Sequence, residues 1–435
     1  MPPADLTHPH GAITPCTPSH HACKNSSGSA IPGMLPCSTI VRGWQQLLIV
    51  LSSLATTFAT MAWETNHFFR VSTTNNSSPT VQLSRDGVLS WNLSPTGGTY
   101  IIERASMAST GWLHYARGVS SNEFTSVQVI HSDPPPGFRF IPGGRFLMGD
   151  ILRDHTVADP VHPVQISSFF MLAHEVTTAE LAEVYQWAYE KELVMVADNF
   201  IRDLRGTNLV RLGAVSSELR FATNRIMVRR PGREMYPANH MTWYGAVTYC
   251  NLLSMMHGLP PSYNLEVWSC NFTNRGYRLP TESEWEYASR AGAQGRRFPW
   301  HDSDTITHSQ ANYRSSTNNA YDISVTRGYH PDNARNIPSS SPVGSFAMNQ
   351  YGLYDMSGNV WEWVWDWWNR YPAGFLVDPT GPATGRHRIF RGGAWKTTAE
   401  RVTNASRYIS AVPDSTVEDV GFRIAIPLPR IHSSP

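Results

Sequence analysis

The sequence predicts an α+β chain with little regular secondary structure, preceded by a small all-β module. Three observations carry this. The 435 residues include 31 Gly, 31 Pro and 15 Trp, a composition of loops and aromatic packing rather than long helices. Only three stretches open with helix-capping signals. Short strand-like segments separated by turn residues fill the region ahead of a proline-rich joint at 133–137.

Charge and composition exclude several classes. There are 35 Lys+Arg against 34 Asp+Glu, a formal net charge of +1, which lacks the basic footprint of a nucleic-acid binder. A chain that is 41% hydrophobic and 11% aromatic carries ample material for a packed core. At roughly 100–200 residues per domain, its length allows two or three domains.

Residues 1–62 read as a leader plus signal peptide. Leu47–Phe58 is apolar but well short of the ~20 residues that span a bilayer. Arg42 precedes it and Thr60-Met61-Ala62 follows as a small-x-small cleavage site, the three-part layout of a secretory signal. Translation from Met34 would give that signal an ordinary length. The alternative is an uncleaved anchor; no stable transmembrane span is expected. The expected location is therefore secreted, periplasmic or cell-surface. Cleavage after Ala62 removes Cys16, Cys23 and Cys37 and leaves Cys250 and Cys270, either as a disulfide or as two buried thiols. Neither has a nearby His or a C-x-x-C spacing, so zinc or redox chemistry is not expected of them.

Residues 63–132 read as a small β-sandwich. Val88–Leu93 and Thr99–Arg104 flank the turn signal Ser94-Pro95-Thr96-Gly97-Gly98, and Val127–Ile130 closes the set. The pattern loosely resembles a fibronectin type III module. Asp133-Pro134-Pro135-Pro136-Gly137 is the stiff linker, 138–427 one long domain, and 428–435 a tail.

Within the long domain Thr177-Thr178-Ala179-Glu180 is a capping box, whose hydroxyl and carboxylate each satisfy an orphan amide. Thr242 caps a second helix that ends near Gly258. Thr281-Glu282-Ser283-Glu284 opens a third, with Trp285, Ala288 and Ser289 facing inward. The Gly/Pro/Asn-rich stretches between them exceed ordinary connections and need side-chain hydrogen bonds or bound ions to hold one shape. Trp361, Trp363, Trp365 and Trp367 alternate at the period of a strand packed on both faces, and read as core rather than as ligand platforms.

Seven blocks in register resemble the formylglycine-generating enzyme (sulfatase-modifying factor) family. They are Phe140–Gly149, Glu175–Thr177, Met241–Trp243, Gly276–Glu286, Tyr351–Trp363, Arg391–Trp395 and Gly421–Arg423, and together they span roughly Gly137 to Pro427. The resemblance implies an elaborated C-type-lectin-like fold with loops held by calcium. Ca²⁺ takes six to eight hard oxygens, many of them backbone carbonyls. Asp355 and Glu362, with the carbonyls of Gly358 and Val360, match the family's second calcium site, with Asp where Asn is common. The first site would use Asn312, the carbonyl of Tyr313, Asp322 and the carbonyl of Ser324. The alternative is that these groups only hydrogen-bond their own loops.

The resemblance breaks at the chemistry. Catalytic members oxidise a sulfatase cysteine to formylglycine with two cysteines that bind copper, and Cu(I) selects soft thiolates. Gly393–Arg407 contains no cysteine, and Ala394 stands where the family's active-site Ser would be. His174-Glu175-Val176-Thr177-Thr178 starts like a zinc-protease motif but lacks the second His. The expectation is thus a calcium-stabilised, non-oxidase binding module with copper absent. Its partner would be an extracytoplasmic peptide, protein or glycan, held in a groove near Trp395 and Arg407. Arg407 has a second reading as a structural salt-bridge partner. The alternatives are a formylglycine-generating oxidase, another activity in the same cleft, or a purely structural domain.

Overall fold

Polypeptide with three capped helices and many short strands folds here around aromatic side chains rather than around one large sheet. A computed structural model describes residues 134–154, 156–333, 340–407 and 411–428, and before them the strand backbones between Val50 and Gln128. Residues 1–49, with Met34 and the three leader cysteines, lie outside the described residues, as does 429–435. The expected signal peptide therefore falls largely outside them; Val50–Ser52 and Phe58–Trp63 are strands.

The N-terminal segment is all-β. One antiparallel sheet joins Val50–Ser52, Phe58–Trp63, His67–Thr73, Thr99–Ser106 and Leu113–Val119, and a second joins Val81–Leu83, Val88–Asn92 and Phe124–Gln128. Both strands expected around the 94–98 turn are present, but they belong to different sheets.

The long domain is mixed, with small sheets and few helices. Phe169–Leu172 lies between Phe138–Ile141 and Ala425–Pro427, so residues near both ends of the domain share one sheet. Helix α1 (Thr178–Glu190) starts at the Thr177 cap with the full capping box, and α2 (Trp243–Met256) starts at Thr242. Helix α3 (Glu282–Arg290) starts at Thr281, and its Glu284 closes a capping box while also gripping Arg278 with two bonds of 2.7 Å. Trp285, Ala288 and Ser289 are buried as expected.

Trp361–Trp367 forms a strand between antiparallel Arg388–Arg391 and parallel Val420–Phe422. Trp363 is fully buried on it, and Arg388 is sandwiched between Trp243 and Trp367 at 3.6 and 3.5 Å from the ring centres. Trp361 and Trp363 are core as expected, whereas Trp365 and Trp367 are half-buried; Trp243 and Trp367 wrap a cation. Beside them α3 anchors a buried ionic network. Glu286 holds Arg290 and Arg391, while Glu282 holds Arg391 and Arg407.

Between Ala291 and Val360 the described residues contain only isolated bridges, Ile306 to Asp322 and Ser315 to Gly328. Side-chain hydrogen bonds hold this long excursion. Among the described residues no helix is long and apolar enough to cross a membrane.

Candidate functional site

The segment leading into the Trp361–Trp367 strand is a tight turn. Asp355, Gly358 and Asn359 take φ of +56°, +85° and +62°, left-handed values that Gly adopts freely and Asp and Asn tolerate best. A side chain on Gly358 would collide with the carbonyl of Asn312. That close approach brings Asn312 O within 2.8 Å of the Asn359 amide.

Glu362, expected to ligate calcium, is fully buried and already provided for. Arg423 donates to both its oxygens at 2.6 Å, and Trp285 Nε1 donates to Oε2 at 2.8 Å. Asp355 differs. Its Oδ2 accepts from Gly344 N at 2.6 Å, but its buried Oδ1 has no donor. Facing it is Glu175, whose Oε1 accepts from Asn359 Nδ2 at 3.1 Å while Oε2 has no donor. Burial, opposed by the Gly344 amide and Arg423 and reinforced by Glu362, pushes the Asp355 carboxyl up to about 6. Burial and then the charges of Asp355 and Glu362 push Glu175 well above the usual carboxylate range. These are acids stripped of water with too few donors.

The other expected calcium set is arranged differently. Asp322 accepts from Tyr313 OH at 2.6 Å, Ser315 Oγ at 2.9 Å, Ser316 N at 2.8 Å, Arg327 Nη1 at 3.2 Å and Ser324 N at 3.3 Å. Tyr313 and Ser324 meet through their hydroxyls at 2.9 Å, and the Tyr313 carbonyl pairs with His308 Nε2 at 3.1 Å. The Asn312 amide donates to Ser341 Oγ at 3.0 Å, toward the Asn359 turn. The geometry gathers Tyr313, Asp322 and Ser324 as a hydrogen-bonded nest and assigns Asn312 to a neighbouring one.

Of the two groove residues, Arg407 needs correcting. It is 4% exposed, holds Glu282 with bonds of 2.6 and 2.8 Å, donates to Val157 O and Asn369 O, and stacks on Tyr371 at 4.0 Å. Four of the five N–H donors of this buried guanidinium are spent inside the protein, which fits the structural salt bridge rather than a ligand anchor. Trp395 is 8% exposed, with a buried indole N–H that has no acceptor. The half-exposed ring of Tyr329 lies 5.7 Å from it and carries Arg314 at 5.8 Å. Lys396, next along the chain, pairs with Glu418 at 3.2 Å and Asp419 at 3.0 Å.

Sequence patterns did not single out what adjoins Lys396. Ser216 Oγ lies 2.8 Å from His240 Nε2. Asn239 ties the backbones of Ser216 and Glu418 together. Burial, with Arg211 and Lys396 adding repulsion, pushes the His240 imidazole down to about 4, so it is neutral near pH 7. The residues come from separate loops with no common spacing, and only the fold unites them.

Among the described residues no thiol stands in this region. Thr397 Oγ1 is engaged by both the amide and the carbonyl of Ala394, and Val402 is fully buried. The described cysteines, Cys250 and Cys270, are free thiols rather than a disulfide. Burial pushes Cys270 up to about 12 and Cys250 well above the usual thiol range.

Comparison with known proteins fits this architecture. Residues 124–428 match the sulfatase-modifying factor enzyme 1-like domain. The chain belongs to that family. The match starts at 124, ahead of the expected 138. Formylglycine-generating enzyme of Bos taurus is 29% identical over 330 residues, covering 69% of this chain and 77% of its own. The Streptomyces coelicolor enzyme of the same name is 32% identical over 66% of this chain and 87% of its own. Inactive C-alpha-formylglycine-generating enzyme 2 of Mus musculus is 28% identical over 69% of this chain and 88% of its own. The relatives thus include proteins named as formylglycine-generating enzymes and one named as inactive.

Proposed function

We propose that this protein is a non-oxidase member of the sulfatase-modifying factor family, a calcium-stabilised binding module on the C-type-lectin-like fold. One observation carries the proposal: Gly393–Arg407 holds no cysteine. Copper-dependent oxidation needs a thiolate pair, and no oxygen donor replaces it. Cys250 and Cys270 do not substitute, because burial keeps both as neutral thiols. The inactive Mus musculus relative offers a precedent for the fold without the activity.

The ligand is a peptide or glycan met outside the cytoplasm, reached after export by the signal peptide ending near Ala62. The N-terminal all-β segment acts as a fibronectin III-like spacer. Tyr329 and Arg314 beside Trp395 supply an aromatic and cationic surface for it. With Arg407 committed to Glu282 and Lys396 to Glu418 and Asp419, Arg314 becomes the cation that a ligand carboxylate or sulfate meets.

Metal analysis of the purified chain, with oxygen uptake on a cysteine-containing peptide, tests the reading. Bound calcium, no copper and no oxygen uptake are expected, and peptide and glycan arrays then separate the ligand classes. Stoichiometric copper with oxygen consumption would establish the oxidase alternative instead.

A further inference from the structure

Ser216 and His240 form a contact that neither the copper nor the calcium chemistry of the family accounts for. A tight turn sets the hydroxyl. Ser217 N donates to Ala214 O at 2.9 Å, and Arg229 Nη1 donates to the same carbonyl. Val215 at the tip of this turn is 74% exposed, while Ser216 beside it is buried. The Ser216 Oγ lies 2.8 Å from His240 Nε2, the reach that a general base needs toward a nucleophile.

The backbone around the imidazole is firmly fixed. His240 takes φ of +56°, a region that residues other than Gly occupy rarely and that concentrates at functional sites. Its amide donates to Val417 O at 3.1 Å, and its carbonyl accepts from Arg211 N at 2.9 Å. Asn239, one residue before, donates to the carbonyls of Ser216 and Glu418 at 3.0 Å each. Three segments distant in sequence are thereby clamped around one Ser–His contact.

The surroundings decide what this ring can do. Burial and the charges of Arg211 and Lys396 hold His240 neutral at pH 7 against the pull of Glu418. A neutral imidazole can take the Ser216 proton, and the cations that disfavour imidazolium favour an oxyanion formed beside it. The buried Nδ1 has no partner among the described residues, so no carboxylate orients the ring as in a complete triad. The tautomer that carries its proton on Nδ1 therefore holds an unpaired donor, at a cost. Such a base is weak, and it suits esters whose alcohol leaves readily.

We propose that Ser216 and His240 are a nucleophile–base dyad that accepts the acyl group of an activated carboxylic ester. Oγ bonds to the ester carbonyl carbon as its proton passes to Nε2. The bond from that carbon to the alcohol oxygen then breaks, and the proton returns to the departing oxygen. Water repeats the sequence on the acylated Ser216, releasing the carboxylic acid and restoring the hydroxyl. The balance needs no metal and no redox partner, so the dyad stands or falls separately from the binding reading above.

The test offers p-nitrophenyl acetate to the full chain. Nitrophenolate release is followed by absorbance, and the acetylated peptide is located by mass spectrometry. Release above the spontaneous rate, with acetyl on Ser216, is expected, and S216A is expected to abolish both. H240N suits the left-handed backbone, which Asn tolerates, and should slow acylation about 100-fold or more. S216C keeps a nucleophile in place and is expected to trap the acetyl group as a thioester, whether or not H240N folds. The rate should be flat from about pH 5.5 to 8, because His240 is already neutral there. A midpoint near the ordinary histidine value of about 6.5 points to another base and overturns the dyad. Acetylation elsewhere with Ser216 unmodified, wild-type rates in S216A or H240N, or no release above background also overturns it and leaves a structural hydrogen bond.

Discussion

Arg423 and Glu362 meet through two parallel hydrogen bonds of 2.6 Å, and both side chains are 0% exposed. Bidentate geometry and burial make this a pair whose halves depend on each other. Removing only the guanidinium strands a carboxylate without water, and it also withdraws donors from three carbonyls. Arg423→Leu is expected to cost about 3–5 kcal/mol of stability. Urea unfolding measures it; a loss near zero would mean that the pair carries no weight.

Asp366 gives the domain a pH response. Burial, and then the charge of Glu282, pushes its carboxyl up to about 8, while it accepts from Glu282 N at 2.8 Å. The folded state therefore keeps a proton that the unfolded chain releases near pH 4. Its contribution is fully present below the unfolded value and is lost as pH rises from about 4 to about 8. Asp366→Asn keeps the acceptor and removes the titration. Its melting temperature is expected to exceed wild type at pH 8 and to converge with it at pH 4. Parallel melting curves across that range would refute the assignment.

Gly393 permits the turn after the Arg388–Arg391 strand. Its φ is +79°, and an added Cβ would sit 2.7 Å from Arg401 O and collide with the Val402 side chain. Gly393→Ala meets both backbone strain and a clash in buried surroundings. A loss of roughly 1–3 kcal/mol is expected by chemical denaturation.

The thiols should be silent in the native protein. With burial pushing Cys270 up to about 12 and Cys250 well above the usual thiol range, neither offers a useful thiolate fraction at pH 8. Alkylation by iodoacetamide is expected to label them only after denaturation. Rapid labelling of either in the native chain would show that it is more open and more acidic than its surroundings imply.

What could be read in advance was local. Thr177 and Thr281 signal helix starts because their partners, Glu180 and Glu284, lie three residues on. The tryptophan alternation is legible because a strand's period is two. Arg407 and Glu175 were opaque for the opposite reason. Arg407 meets Glu282 across 125 residues, and Glu175 meets Asn359 across 184, with no sequence period to mark either. Family resemblance narrowed the region to Asp355 and Glu362 but did not mark Arg423 as the partner of Glu362. Distant ionic partners are set by loop packing, and that packing has no signature along the chain.

The sheet that places Phe169–Leu172 between Phe138–Ile141 and Ala425–Pro427 has a consequence for biosynthesis. Arg423, just ahead of the last strand, reaches Leu172 O across 251 residues. On the ribosome the middle strand emerges long before its final neighbour is translated, and its edge waits unpaired until then. Closure of this sheet therefore waits until Ala425–Pro427 has been made, and a nascent chain stopped short of residue 420 is left with an open edge for chaperones to guard.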